Sequence, residues 1–396
     1  ASLPQVHFWV GEYLDPFANA MEAETDVAFV RFYAGELVGV GRGLDALQGG
    51  TVDVVTPLLA PYHAGLFPLS DITQLPVYGT DSPAITRAFQ KLLDSDVELA
   101  DGKTFYEYEI GDKGIVAWGL GATGAYAIST TGKEVAAPSD FDGLPLRAGA
   151  ALQTMTLEEL GVNPVTMPAA QAYEALSRGT IDGALIPWEI IPALRLQEQT
   201  DYQIEGADST RMGTSVFQVS MNQATWDGLA EDVQAAFREA SDAAWLREVG
   251  GIWRATEEAG IGMATEAGNT HVVLSEAETE AMLAPMEGVV ARWVEADSRF
   301  QVAATCADGE QGVRRAGELQ PDLVVLDIEM PKMDGLTALP LILKAAPRAR
   351  VVMASTLTRK GAEVTLRALS LGAADYAPKP EAGRVAGAET YRVELL

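Results

Sequence analysis

The stretch from Phe141 to Glu189 constrains this chain more than any other, because short apolar runs alternate there with helical patterns, each closed by glycine or proline. Leu144 to Leu146 reads as a short buried strand that delivers Arg147 at its carboxyl end. Gly149 and its alanine neighbours follow, small enough for a ligand or another backbone to come close. Thr156 to Gly161 has apolar positions at helical spacing and a glycine stop. Asn163 to Pro168 reads as a proline-bounded strand, and Ala169 to Gly179 as a helix with Ala172, Ala175 and Leu176 inward. The order β-α-β-α-β implies a parallel sheet. In such sheets small molecules bind at the carboxyl ends of the strands, where Arg147 and the turn Ile186-Pro187-Trp188 both fall. The pattern offers one well-placed cation and no catalytic set, so binding of an anion is the expected function.

This block resembles the solute-binding receptors of tripartite ATP-independent periplasmic (TRAP) transporters, the DctP type. Ala34 to Leu37, Ala46 to Gln48 with Gly50 to Asp53, Tyr62 with Gly65 to Ser70, Leu75-Pro76, and Val219 to Asn222 followed by Trp226 and Leu229 stand in that family's order, so the resemblance covers roughly residues 1 to 296. It implies a two-lobed α/β periplasmic-binding-protein fold with a hinge and a cleft. Lobe I would take residues 1–119 and 213–249, and lobe II residues 120–212 and 250–298. The implied function is non-enzymatic: an extracytoplasmic receptor binds a small organic acid, closes about its hinge, and delivers the acid to the membrane subunits of the transporter.

By the same resemblance Arg147 is the residue that meets the ligand carboxylate. A guanidinium offers a planar fork that a carboxylate can join with two hydrogen bonds. The competing reading of Arg147 is an ordinary structural ion pair. Trp188, Tyr126, Phe217 and Tyr62 are the expected aromatic neighbours of the ligand, although aromatics beside a cleft often belong to the core. Ile186 stands where many relatives carry asparagine, and Ala169 where many carry an aromatic residue. No charge stands near Ala127, where some relatives have a second cation. A monocarboxylate such as a keto, hydroxy or aromatic acid is therefore expected, rather than a dicarboxylate or a sugar acid. His7, His63 and His271 lie far apart in sequence and have no metal-ligand spacing, so neither a metal nor a cofactor is expected.

Charge divides the chain. Residues 1–298 hold 15 Lys and Arg against 44 Asp and Glu, whereas residues 299–396 hold 13 against 12. The acidity of the first part argues against nucleic acid as a partner. A single cysteine, Cys306, excludes an internal disulfide framework. The start at Ala1, close to an expected first strand from Val6 to Val10, is what an exported protein shows once its leader is removed, so a periplasmic location is expected, and a monomer is expected besides.

The last hundred residues carry a second signature. Gln301 to Thr305 reads as a strand, Gly309 to Leu319 as a helix, Asp322 to Asp327 as a buried strand, and Arg350 to Ala354 as another. With Met330 to Gly335, Met353 to Thr358, and Asp375-Tyr376 before Lys379-Pro380, this resembles the receiver domain of a chemotaxis response-regulator methylesterase. The resemblance implies Asp327 as phospho-acceptor, Ser355 as switch hydroxyl, Lys379 as phosphate-binding cation and Tyr376 as switch aromatic. The receiver's first strand, with the acidic pair that holds Mg²⁺, should lie about thirty residues before Gln301. A helix stands there instead, with a Ser275/Glu278 capping box and a stripe of Met282, Met286, Val289, Val290 and Trp293. Residues 299–396 thus read as an incomplete flavodoxin-like segment, a truncated passenger without its esterase domain, in which Asp327 is not efficiently phosphorylated. The alternative is a signalling fusion that couples solute binding to a chemotaxis-type receiver. A helix from Leu229 to Val249, with Leu229, Val233, Phe237, Ala240 and Ala244 on one face, is expected to support the hinge.

Overall fold

A computed structural model of the chain describes residues 3–63, 65–76, 81–99, 102–239, 243–295, 301–328, 330–356, 367–368 and 370–379. The contacts divide it into two compact units, Ala1–Val289 and Val290–Leu396.

The first unit holds two sheets. One is antiparallel, with β1 (Val54–Leu59) and β2 (Ile115–Ala122) on either side of β8 (Val216–Asn222). The other runs β5-β4-β6-β3-β7-β9, formed by β3 (Tyr126–Thr130), β4 (Pro145–Ala148), β5 (Asn163–Thr166), β6 (Gly183–Pro187), β7 (Tyr202–Glu205) and β9 (Thr270–Val273). As the β-α-β-α-β pattern requires, β4 pairs in parallel with both β5 and β6. The intervening helices Ala151–Glu159 and Ala172–Ser177 end ahead of Gly161 and Gly179, both at positive φ.

Three connections join the sheets. The chain crosses at Thr123 to Ala125 and returns through residues 206–215. These segments bond to each other, Thr123 N to Ser215 O at 2.8 Å, Tyr126 N to Gly213 O at 3.0 Å and Met212 N to Tyr126 O at 2.9 Å. The third is the long helix Ala243–Glu266, which packs on β2 and the helix Ser82–Leu93, and further along on the turn Trp188–Ile190 and β9. Its Trp253 is fully buried among Phe8, Trp9 and Phe217.

Three sequence expectations for this unit are corrected. Val6 to Val10 is not a strand: the chain is helical from Phe8, through Trp9–Leu14 and Asp15–Glu24. Trp9, Val10, Tyr13, Leu14, Ala18 and Met21 are all buried at helical spacing, so one helical face outweighs a short apolar run. The helix expected from Leu229 to Val249 is found as Glu231–Glu239 and the start of Ala243–Glu266, with residues 240–242 outside those described. Leu229, an extended cap residue, still packs with Val233, Phe237 and Trp226. The Ser275 capping box is present, but the helix it starts ends at Leu283 beside Pro285, and a new one runs Met286–Glu295.

In the second unit β10 (Leu323–Asp327), β11 (Arg350–Thr356) and β12 (Asp375–Lys379) form a parallel sheet in that order. The helices Gly309–Leu319 and Gly335–Ala345 are capped by Asp308 and Asp334. Ala338, Leu339, Ile342, Val351 and Met353 make the core. Gln301 to Thr305 has no regular structure, which corrects the strand expected there. A strand at that point needs the receiver's first strand between it and β10, and β10 is an edge of the observed sheet.

Candidate anion-binding site

Arg147 lies within β4, one residue before its end, and is only 2% exposed. Its Nε donates to Met167 O at 3.0 Å, Nη1 to Leu185 O at 3.1 Å and Nη2 to the Tyr62 hydroxyl at 3.0 Å. All three acceptors are neutral, so the structural ion-pair reading finds no carboxylate among these partners. A guanidinium has five N–H groups. Among the described residues two find no acceptor, on a buried charge whose desolvation calls for an anion.

The surroundings hold that fork in place. Met167 follows β5 and Leu185 lies in β6, so the strands on either side of β4 each supply one carbonyl. Tyr62 ends the short turn after β1 and reaches in from the other sheet. Gly149 lies flat against the guanidinium, where a Cβ would stand 2.4 Å from Nη2, so any larger residue would push the fork aside. Its N–H donates to Gln153 Oε1 at 2.7 Å, in the first turn of the following helix. Tyr126, also buried, shares a hydrogen bond with Ser215 Oγ and interacts with Gln153. Burial pushes its phenol well above the ordinary range, so it stays neutral and can donate or accept.

Arg147, Tyr62 and Tyr126 therefore come together, and Gln153 and Ser215 join them. The remaining expected residues have other neighbours. Trp188 is 2% exposed, with the Arg211 guanidinium over its ring at 4.2 Å and His271 edge-on at 5.1 Å. Ile186, Ala127 and Ala169 pack in the same core cluster as Trp188. Phe217 sits edge-on to both Trp9 and Trp253. An apolar cavity of about 410 Å³ lies elsewhere, between residues 27–40 and the antiparallel sheet, lined by Phe29, Val54, Trp118 and Met221 among others.

Two histidines are buried. His7 Nδ1 accepts from Trp9 N at 3.2 Å, and burial lowers the ring's pKa to about 4; burial also lowers that of His63. In the second unit Asp327 ends β10, while the side chains of Ser355, Tyr376 and Lys379 lie outside the described residues. Among the described residues no cluster of three His, Cys, Asp or Glu side chains could hold a metal. Lys332 is engaged with Asp308 at 2.6 Å.

Comparison with known proteins follows the division into units. The profile described as bacterial extracellular solute-binding protein, family 7 (DctP) matches residues 4–297, and that of the response regulator receiver domain matches residues 285–386. A solved TRAP solute-binding protein from a marine metagenome, described as specific for aromatic acid ligands and in complex with metahydroxyphenylacetate, is 26% identical. It has a TM-score of 0.69 over 75% of this chain and 91% of that one. A TRAP solute-binding protein from Rhodoferax ferrireducens T118, with copurified benzoate, shares the fold at 23% identity, with a TM-score of 0.67 over 88% of this chain and 97% of that one. The protein-glutamate methylesterase/protein-glutamine glutaminase of Maricaulis maris (strain MCS10) is 66% identical over 109 residues, 28% of this chain. The chain spans only 27% of that relative's length.

Proposed function

Because this chain belongs to the extracellular solute-binding protein family 7 of TRAP transporters, with a receiver domain in its C-terminal part, we propose that it is a periplasmic receptor that binds a small organic acid through Arg147 and delivers it to the membrane subunits. The observation that carries this reading is a buried guanidinium with neutral partners and two uncommitted N–H groups, set between two sheets. A carboxylate bound there forms a charge-assisted pair in a site shielded from water.

The lobes of the receptor are residues 1–119 with 213–249, and 120–212 with 250–298. They close about the two crossovers and the long helix, bringing Tyr62 and Arg147 together over the ligand. The ligand class is an aromatic or hydroxylated monocarboxylate. The marine metagenome relative's specificity for aromatic acids supports this, as does the presence of Arg147 alone as a cation among these polar groups. Tyr126, Gln153 and Tyr62 are placed to meet a hydroxyl on the ligand, while Trp188 and Phe217 stiffen the frame behind.

A thermal-shift screen of the purified chain against 3-hydroxyphenylacetate, 3-hydroxybenzoate, benzoate, mandelate and glucuronate tests the reading. A ligand at a hundredfold over its Kd stabilises the folded state by about 2.7 kcal/mol. Shifts with the aromatic monocarboxylates and none with glucuronate are expected. A shift with glucuronate alone overturns the ligand class, and no shift with any acid, in protein shown by mass spectrometry to carry no copurified ligand, overturns the receptor reading.

A further inference from the structure

Three carboxyl groups and one guanidinium are packed where the three connections between the sheets meet. Glu257, on the long helix, is 7% exposed and accepts from Arg211 Nη1. Arg211 lies on the second crossover, and its Nε donates to Glu205 Oε2, at the end of β7, at 2.9 Å. His271, on β9, stands 2.9 Å from the other oxygen of Glu205. Glu189, next to Trp188, is 3% exposed, and its Oε2 has no hydrogen-bond partner among the described residues. One turn back on the helix, Arg254 pairs with Asp81.

The first crossover touches the same carboxyl. A Cβ on Gly124 would lie 2.3 Å from Glu257 Oε1, so backbone and carboxyl are in direct contact. Thr123, Gly124 and Ala125 bring no charge. Glu257 is therefore gripped by one crossover through Gly124 and by the other through Arg211, while its own helix spans both sheets. Any rotation of the sheets about these segments must move Gly124 and Arg211 against it.

The charges do not balance when every carboxyl is ionised. Arg211 is shared by Glu205 and Glu257, and Glu189 receives no donor from it. Burial, the largest influence, raises the pKa of Glu257 to about 7 against the opposing pull of Arg211. Burial also raises Glu189 well above its ordinary range, and the neighbouring charge of Glu257 adds to it. Both groups favour the proton in the packed arrangement.

We propose that Glu257 is a proton-operated latch of the hinge: with its proton on, the crossovers and the long helix pack together, and its ionisation loosens them. The proposal takes from the receptor reading only that the sheets move about these segments. A carboxyl whose pKa is raised on packing contributes tightness that is complete below its ordinary value of 4.5 and is lost as pH rises through about 7. In a receptor this makes closure proton-linked, so that acid is held more firmly at pH 6 than at pH 8.

Hydrogen exchange of the ligand-free full chain between pH 5.5 and 8.5, corrected for the intrinsic pH dependence of exchange, reads the latch at the bonded amides of Thr123, Tyr126 and Met212. Protection should fall by about tenfold across this range in the wild type and stay flat in Glu257→Gln. Protection that is flat in the wild type, or that falls equally in both, overturns the latch. Carbon-13 NMR of glutamate-labelled wild type gives a check that does not depend on the variant folding. A buried carboxyl titrating near pH 7, the one signal of the wild type missing from Glu257→Gln wherever that variant folds, is expected; no carboxyl titrating near pH 7, or one there that the variant retains, overturns the proposal. Neither experiment uses a ligand, so a failed acid screen leaves them intact.

Discussion

The strand that carries Arg147 and the strand that carries Asp327 share one grammar, a short parallel β-strand followed by a helix, and differ in what stands beside them. β4 is flanked by β5 and β6, and each side supplies a carbonyl that fixes the guanidinium. β10 has β11 on one side and is otherwise an edge. Its Leu323 and Val325 are 51% and 52% exposed, while Leu326, on the opposite face, is buried. A strand end holds its side chain in a fixed frame when neighbours on both sides converge on it; at the edge of a sheet the same kind of residue lacks that frame.

That comparison can be broken in several places. Replacing the guanidinium is expected to act most strongly: Arg147→Ala should cost about 3–5 kcal/mol of acid binding, read by calorimetry, with the helical signal retained. Leu326→Ala should cost the second unit about 2–4 kcal/mol; the variant's melting curve should lose the second unit's transition while acid still shifts the first. Gly149→Ala probes the frame rather than the charge. Forcing a Cβ against Nη2 should cost about 1–3 kcal/mol and weaken acid binding without abolishing it. The smallest effect is expected on the open face of β10, where Leu323→Lys should change stability by less than about 0.5 kcal/mol. A large loss there would mean that this face is covered in solution.

The sequence made the frame of the site legible, because β4, β5, β6 and their helices announce themselves by period and by glycine stops, and Arg147 falls where that pattern puts a ligand. It was less informative about faces. Trp188 sits at a strand end as expected and Phe217 near the start of β8, yet their rings meet Arg211, Trp9 and Trp253, and no spacing rule reveals which side of a strand end a ring will take. Gln153 had a local signal, a polar side chain four residues after Gly149 in the first turn of a helix. Ser215 had none, since its partner Tyr126 is 89 residues away. Val6 to Val10 misled because five residues are too few to separate a strand from a helix, and the periodicity that decides runs on to Met21. The cluster around Glu257 was invisible for the reason that hid Ser215: its members are contributed by β7, β9, a crossover, a turn and a helix far apart in the chain.

The central claim is that the uncommitted N–H groups of Arg147 bind a carboxylate. Calorimetric titration of the purified chain with 3-hydroxyphenylacetate and, separately, with its methyl ester tests it most directly, because the two differ only in the charge offered to the guanidinium. The account predicts a single site for the acid and no measurable binding of the ester. Equal affinity for both would contradict it.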